Sequence, residues 1–353
     1  VPTPFPTFLR AAAAGLRAAR SLHFFEIWLL GMVAAMHLLF FAKGWGPMAW
    51  TFGVSLQVVG RMVLPVLPAG MVLTALWAGL RARSWRGAVR CARAWTSPAW
   101  WGLTLRIWLA IVLTVHVYIW LKLNVPFLNP VILDQAVWQW EERLFFGYSP
   151  NLFFLELFSR PAALQAVDWT YAKVFKAGLY IAMMFFPVLP SRRLRIACVT
   201  SYTVLWTLGG WLHVLLPALG PCYWFPSVWQ PHAEWLRITT ASQAALLKNY
   251  RDLMVFRFAA DFQYNPLYGV AAIPSMHNAN QALVALWVMR LSRPLGLLAW
   301  GGVAVIFIGS IVTGWHYLVD SVAGILLAWG VFAAVRRWLP EEEGGAGSGV
   351  TPP

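Results

Sequence analysis

A chain of 353 residues that is 60% hydrophobic and only 11% charged, with mean hydropathy +0.62, carries more apolar side chain than one water-soluble core of this length can hide. Lipid is the expected solvent for most of it, which excludes a soluble enzyme or binding module. The formal charge of +14 would point to nucleic acid in a soluble protein. In a membrane chain basic residues set orientation instead, so no nucleic-acid partner is expected.

Runs of about 20 mostly apolar residues, enough to cross a hydrocarbon core of roughly 30 Å, occur at about 22–42, 48–80, 102–121, 170–189, 195–216, 275–290, 295–315 and 318–338. The second run is long for one straight span and contains Arg61, Pro65 and Pro68, which predicts a tilt or kink. Tryptophans near the run ends, among them Trp45, Trp100, Trp120, Trp315 and Trp338, read as aromatic belts at headgroup level. The basic, Ala-rich start lacks a small-residue cleavage site after a short hydrophobic core, so the first run reads as a retained helix and not a signal peptide. Cys91, Cys198 and Cys222 are far apart with no C-x-x-C spacing, so neither a disulfide nor a zinc site is expected.

Arginine comes in bursts. Arg10, Arg17 and Arg20 precede the first run, Arg81 to Arg93 follow the second, Arg192, Arg193 and Arg195 follow the fourth, Arg290 and Arg293 follow the sixth, and Arg336 and Arg337 follow the eighth. Every second loop is therefore the basic one, which by the positive-inside rule places both termini in the cytoplasm. Two long segments, residues 122–169 and 217–274, then face the opposite side. Loops of that length are usually functional or carry structure of their own. In the first, Ile132, Val137 and Leu144 recur at roughly helical spacing between Asp134, Glu141, Glu142 and Arg143, which predicts an interfacial helix over Asp134 to Tyr148.

Two polar segments lie at the mouths of apolar runs. In Ile273-Pro274-Ser275-Met276-His277-Asn278, Pro274 suits a first helical turn and the Ser and His sit at the helix N-terminus, where free N–H groups and the dipole favour a phosphate. In Thr313-Gly314-Trp315-His316-Tyr317-Leu318-Val319-Asp320, a helix already begun near His316 would put His316 and Asp320 on one face at i, i+4 spacing, so that the carboxylate fixes the imidazole tautomer. The Arg pattern brings His277 and His316 to the same, non-cytoplasmic side. A single His near a helix end is usually an interfacial or packing residue, and His23, His37, His116, His213 and His232 are read that way. The two segments together supply the parts of phosphoryl transfer through a covalent intermediate: a nucleophilic His oriented by Asp, and a second His as acid and then base.

These residues carry a family resemblance. Pro-Ser-Met-His resembles the Pro-Ser-x-His motif of the type 2 phosphatidic acid phosphatase superfamily, and His316 with Asp320 resembles its H-x-x-x-D motif, over roughly residues 100–338. The resemblance implies an all-α integral membrane fold of about eight transmembrane helices, the C-terminal six forming a phosphatidic-acid-phosphatase-like bundle. It also implies His316 as nucleophile, Asp320 as its orienting partner and His277 as acid/base. The family's K-x6-R-P pattern is missing, and Gly309-Ser310 stand where a Ser-Arg pair is expected. That loss resembles the branch with inositol phosphorylceramide synthase and sphingomyelin synthase, as do the Gly220-Pro221-Cys222-Tyr223-Trp224-Phe225 run and the His316-Tyr317 pairing, the latter making Tyr317 a candidate substrate contact.

Replacement cations are sought in the outer loop, at Lys248, Arg251 and Arg257, whose alternative role is to touch anionic headgroups. Ser275 is a candidate phosphate donor or simply a helix cap. The expected organisation is a two-helix membrane segment with a basic cytoplasmic loop (1–100), a six-helix catalytic membrane domain (101–338) and a disordered cytoplasmic tail (339–353). The expected partners are membrane lipids, with a phospholipid or polyprenyl phosphate as donor and a hydroxyl as acceptor; the same triad with water would be a lipid phosphate or polyprenyl pyrophosphate phosphatase. A transporter would place its polar residues at the midplane, and an inactive scaffold is the remaining alternative. Scattered acidic residues and the lack of a nucleotide-binding glycine motif give no reason to expect a metal or cofactor.

Overall fold

A computed structural model of the chain describes residues 22–45, 49–256, 265 and 267–339. Arg10, Arg17, Arg20, Arg257 and the acidic tail lie outside the described residues. Each of the eight apolar runs is a helix: α1 (Phe24–Ala42), α2 (Ala49–Arg81), α4 (Pro98–Leu128), α7 (Pro161–Phe185), α8 (Arg192–Leu215), α12 (Met276–Leu291), α13 (Arg293–Val312) and α14 (Leu318–Trp338). Between them lie α3 (Trp85–Ala94), α5 (Asp134–Leu144), α6 (Pro150–Leu157), α9 (Pro221–Trp224), α10 (Pro226–Trp229) and α11 (Arg237–Phe256). No strand occurs among the described residues. The chain is an all-α, multi-pass membrane protein.

Five helices are long and apolar enough to span by themselves: α1, α4, α7 with the 3-10 turn Phe186–Val188, α13 and α14. A sixth span is α2, bent by 47° between Ser55–Arg61 and Val66–Arg81, where the sequence places Pro65. The remaining two, α8 and α12, do not meet that criterion: α12 has only 16 residues, and both are polar for spans, for which their burial gives the reason. They sit innermost, packed on each other and on α4, α7, α13 and α14. Thr200, Ser201, Thr203 and Thr207 of α8 and Asn278, Asn280 and Gln281 of α12 are all buried. A helix shielded from lipid by other helices need not be apolar. The indole of Trp287 on α12 donates to Ser201 Oγ on α8 at 2.8 Å, one of the polar contacts that pin the central pair.

Helix α5 is the expected element, over Asp134–Leu144. Ile132 and Leu144 are exposed, whereas Asp134, Trp138 and Glu141 point inward. Apolar side chains at the membrane boundary gain nothing from turning inward. The two carboxylates do, because backbone N–H groups await them there. Asp134 accepts from Leu219 N at 2.7 Å and Gly220 N at 2.8 Å, and Glu141 Oε1 accepts from Val319 N at 2.7 Å, in the first turn of α14. On α7, Asp168 likewise accepts from Ile238 N and Thr239 N, both at 2.8 Å, at the start of α11. Each carboxylate thus satisfies donors that a helix start or loop leaves free. All three cysteines are free and buried.

Glu141 makes its docking role measurable. It is fully buried, Oε2 has no partner, and burial first, then the charge of Asp320, raise its pKa from 4.5 to about 8. Between those values the folded protein keeps a proton that the unfolded chain has lost, so this group's contribution to stability is full below about pH 4.5 and is lost as pH rises towards 8. Glu141→Gln, which keeps the acceptor for Val319 N, is expected to flatten the fall of the unfolding midpoint in detergent between pH 5 and pH 8, an effect on the order of a few kcal/mol. A pH dependence identical to wild type would show that the carboxyl is not held protonated.

Candidate functional site

Helix α12 begins where Ser275, in extended conformation, accepts from Asn278 N through its Oγ at 3.3 Å. Ser275 is fully buried and its N–H donates to the Asp320 carbonyl at 3.0 Å. The cap therefore joins α12 to α14, and Ser275 is not among the residues that line the cavity described below. His277 follows as the second residue of the helix.

His316 does not stand on a helix. Helix α13 ends at Val312 and α14 begins at Leu318, so His316 reaches Asp320 from the intervening turn and not along one helical face. Gly314 supplies that turn with φ +72°, and a Cβ there would lie 2.5 Å from the Trp229 ring. Most of the bared carbonyls of the turn are taken up. Asn151 Nδ2 donates to Ile311 O and His316 O at 3.1 and 3.0 Å. Trp229 Nε1 donates to Val312 O at 2.9 Å, Gln243 Nε2 to Thr313 O at 2.8 Å, and Cys222 N to Gly314 O at 2.9 Å. A buried irregular turn must find partners for its backbone, and here they come from α6, α9, α10 and α11.

His316 Nδ1 lies 3.2 Å from Asp320 Oδ2, with the carboxylate 1% exposed. A carboxylate only accepts, so Nδ1 carries the proton and Nε2 presents its lone pair. That Nε2 is 3.1 Å from His277 Nδ1, with the rings nearly perpendicular at 82° and centroids 5.0 Å apart. His277 Nδ1 is also 2.7 Å from the Tyr171 hydroxyl, and Phe175 packs edge-on against its ring at 4.1 Å. The three residues singled out in the sequence, His277, His316 and Asp320, therefore meet in one cluster. Tyr171 was not foreseen. Its ring occupies the space over Gly309, where a Cβ would come within 2.8 Å of it, so one of the two departures from the family motif makes room for a side chain bonded to His277. The other, Ser310, is buried and accepts from Asn278 Nδ2 at 3.1 Å.

Both imidazoles face a cavity of about 330 Å³. Its cations are Lys122 on α4 and Lys176 on α7. Lys122 Nζ lies over the Tyr118 ring, 5.7 Å from its centroid. His213, read from sequence as a bland packing residue, lines the same cavity and donates Nδ1–H to Ile273 O at 2.7 Å, holding the segment before Ser275.

Arg257 lies outside the described residues, and the other substrate contacts expected from sequence lie away from the cavity wall. Lys248 is 78% exposed and pairs with Asp252 at 2.5 Å; Arg251 is exposed. Neither is among the described residues of the cavity wall. Tyr317 is fully buried and donates its hydroxyl to Asp134 Oδ1 at 2.8 Å, so it fastens the turn to α5. The loop cations were favoured because they precede the Pro-Ser-Met-His segment in the chain. Distance along the chain is not distance in space: Lys122 and Lys176 come from the cavity-facing sides of two earlier helices. A signal for them existed, because an ionisable residue at or inside an apolar run is functional by default.

Among the described residues no group of three or more His, Cys, Asp or Glu side chains is placed to hold a metal ion.

The Tyr317–Asp134 link carries a prediction of its own. Asp134→Asn removes the charge while leaving one oxygen for two N–H groups and a hydroxyl, and Tyr317→Phe removes only the last bond. Tyr317→Phe is expected to cost about 1–2 kcal/mol of stability, and Asp134→Asn more, as read from unfolding midpoints in detergent. Equal and negligible losses would refute the linkage.

The profile of the PAP2 superfamily matches residues 135–334, more than half of the chain and the whole stretch from α5 to α14. No curated protein and no solved structure matches it. The match takes in the Pro-Ser-Met-His cap, the His316 turn and Asp320, and the chain belongs to the PAP2 superfamily, a group of lipid phosphatases and phosphotransferases.

Proposed function

We propose that this protein is a membrane lipid phosphotransferase that works through a phosphohistidine. The observation that supports it is the line Asp320–His316–His277 at 3.2 and 3.1 Å on the wall of a cavity with Lys122 and Lys176. In the first half-reaction the Nε2 lone pair of His316 attacks phosphorus. The bond from phosphorus to the departing oxygen breaks, and His277 gives that oxygen a proton. Asp320 holds Nδ1–H and stabilises the positive charge that develops on the ring. In the second half-reaction an acceptor hydroxyl gives its proton to His277 while its oxygen displaces His316 from phosphorus. Lys122 and Lys176 neutralise the phosphate oxygens in a site where charge is poorly screened.

The donor is a phospholipid or polyprenyl phosphate, and the acceptor a lipid or glycan hydroxyl. Transfer of a phosphoinositol-like headgroup, as in the inositol phosphorylceramide and sphingomyelin synthase branch, is favoured by the missing phosphatase cations and by the Gly220 to Phe225 run. Water as acceptor would make the same cluster a lipid phosphate or polyprenyl pyrophosphate phosphatase. By the Arg alternation both termini are cytoplasmic and the site opens on the periplasmic, extracellular or lumenal face, with residues 1–100 an accessory two-helix segment and 101–338 the catalytic domain.

Purified protein given a labelled lipid extract is expected to produce a second labelled lipid; label found only in water-soluble phosphate would select the phosphatase. His316→Ala should lose on the order of 10³-fold or more, and His277→Ala roughly 10²- to 10⁴-fold. Full activity in His316→Ala would falsify the mechanism. Lys122→Ala should lower kcat/KM about 10- to 100-fold, the worth of a charge-assisted contact to phosphate. Activity should persist in EDTA; its abolition by chelator and recovery with Mg²⁺ would count against a metal-free reaction.

A further inference from the structure

Behind the catalytic cavity a second, apolar crevice of about 150 Å³ continues into the helix bundle. The two share Tyr118, Lys122, Trp206, Leu267 and Gly269 in their walls. The rings of Tyr118 and Trp206 meet edge to face at 4.7 Å and 84°, which forms a waist between them. Beyond the waist the wall advances on three helices at once. On α4 it runs from Lys122 to Thr114, on α7 from Phe175 in the cavity to Met183 in the crevice, and on α8 from His213 to Tyr202. All three progressions lead away from His316, and the eight-residue steps on α4 and α7 correspond to about 12 Å of depth. Val58 of α2 lines the crevice as well.

Two polar groups of this wall are occupied within the protein. Thr114 Oγ1 donates to Ala110 O at 2.7 Å, and Trp206 Nε1 to Asn280 Oδ1 at 3.3 Å. An apolar crevice opening from a site that holds two lysines and three imidazoles matches a ligand with one anionic end and one hydrocarbon end. At about 150 Å³ against about 330 Å³ for the catalytic cavity, it suits the first carbons of one chain.

We propose that the crevice takes the proximal part of a single hydrocarbon chain of the phosphate-bearing substrate, with the phosphate at Lys122 beside His316. This assignment rests on the phosphoryl-transfer reading of the site and adds the chain's location and number. It makes Met183 and Leu179 on α7, with Thr114 on α4, determinants of chain length and branching.

Two measurements test it. With ³²P-labelled n-alkyl phosphates from ethyl to octyl, kcat/KM of wild type is expected to rise by up to about fourfold per methylene and then level off. Met183→Trp and Leu179→Trp, which fill the crevice, should each lower the octyl-to-ethyl ratio of kcat/KM at least tenfold. A ratio unchanged in a folded, monodisperse variant overturns the proposal. Independently of any variant, an octyl phosphate with a terminal diazirine should crosslink wild type within residues 114–122, 179–183 or 202–206. Crosslinks elsewhere, or none beyond those of a diazirine alkane without phosphate, also overturn it. Crosslinking in the crevice without turnover of any alkyl phosphate would leave the crevice assignment standing and sink the phosphoryl-transfer reading.

Discussion

Irregular backbone inside a membrane protein has no water to fall back on, so every bared N–H and C=O must find a partner in the protein. The turn from Val312 to Leu318 is such a segment, and the candidate site depends on it. Its carbonyls are held by Asn151, Trp229, Gln243 and the Cys222 N–H, and the first turn of α14 by Glu141. His316 is thereby fixed at both ends without belonging to a helix. The long segments 122–169 and 217–274, which look from their composition like loops, are the source of these partners. The short helices α5, α6, α9, α10 and α11 form a polar clamp over the mouth of the bundle.

The chain has only 13 acidic residues, and the buried ones are spent on backbone or on histidine. Asp134 and Asp168 each take two N–H groups, Glu141 takes one, and Asp320 holds His316. Used this way a carboxylate is both a positional restraint and a neighbouring charge. Glu141 illustrates the consequence. Its distance from solvent and its proximity to Asp320 hold its carboxyl near neutrality, which spares the Asp320–His316 pair a second negative charge close by.

The loss of the usual phosphate-binding motifs is matched by a rearranged wall. Where a Ser-Arg pair is expected, Gly309 admits the ring of Tyr171 and Ser310 joins a buried network with Asn278 and Ser321. Positive charge enters instead from α4 and α7, as Lys122 and Lys176. A lysine ammonium is a flexible point charge, unlike the fixed fork of a guanidinium.

Composition and local pattern by themselves determined the solvent, the helical class and the order of the spans, because lipid imposes run length and apolarity on every exposed helix. They also determined the triad's residue types, since Pro-Ser-Met-His and His-x-x-x-Asp are local signals at helix mouths. Tertiary structure alone decided the rest. That α8 and α12 are central explains why they are the least apolar spans. That Asp134 and Glu141 face inward while Ile132 and Leu144 face out was hidden from periodicity, which cannot know which side of an interfacial helix has unpaired backbone to offer. The partners of His277 and the cations of the cavity come from Tyr171, Lys122 and Lys176, about 100 to 195 residues from the motif segments they serve. Only the packing of antiparallel helices brings such distant positions together, and no local pattern in the chain encodes that proximity.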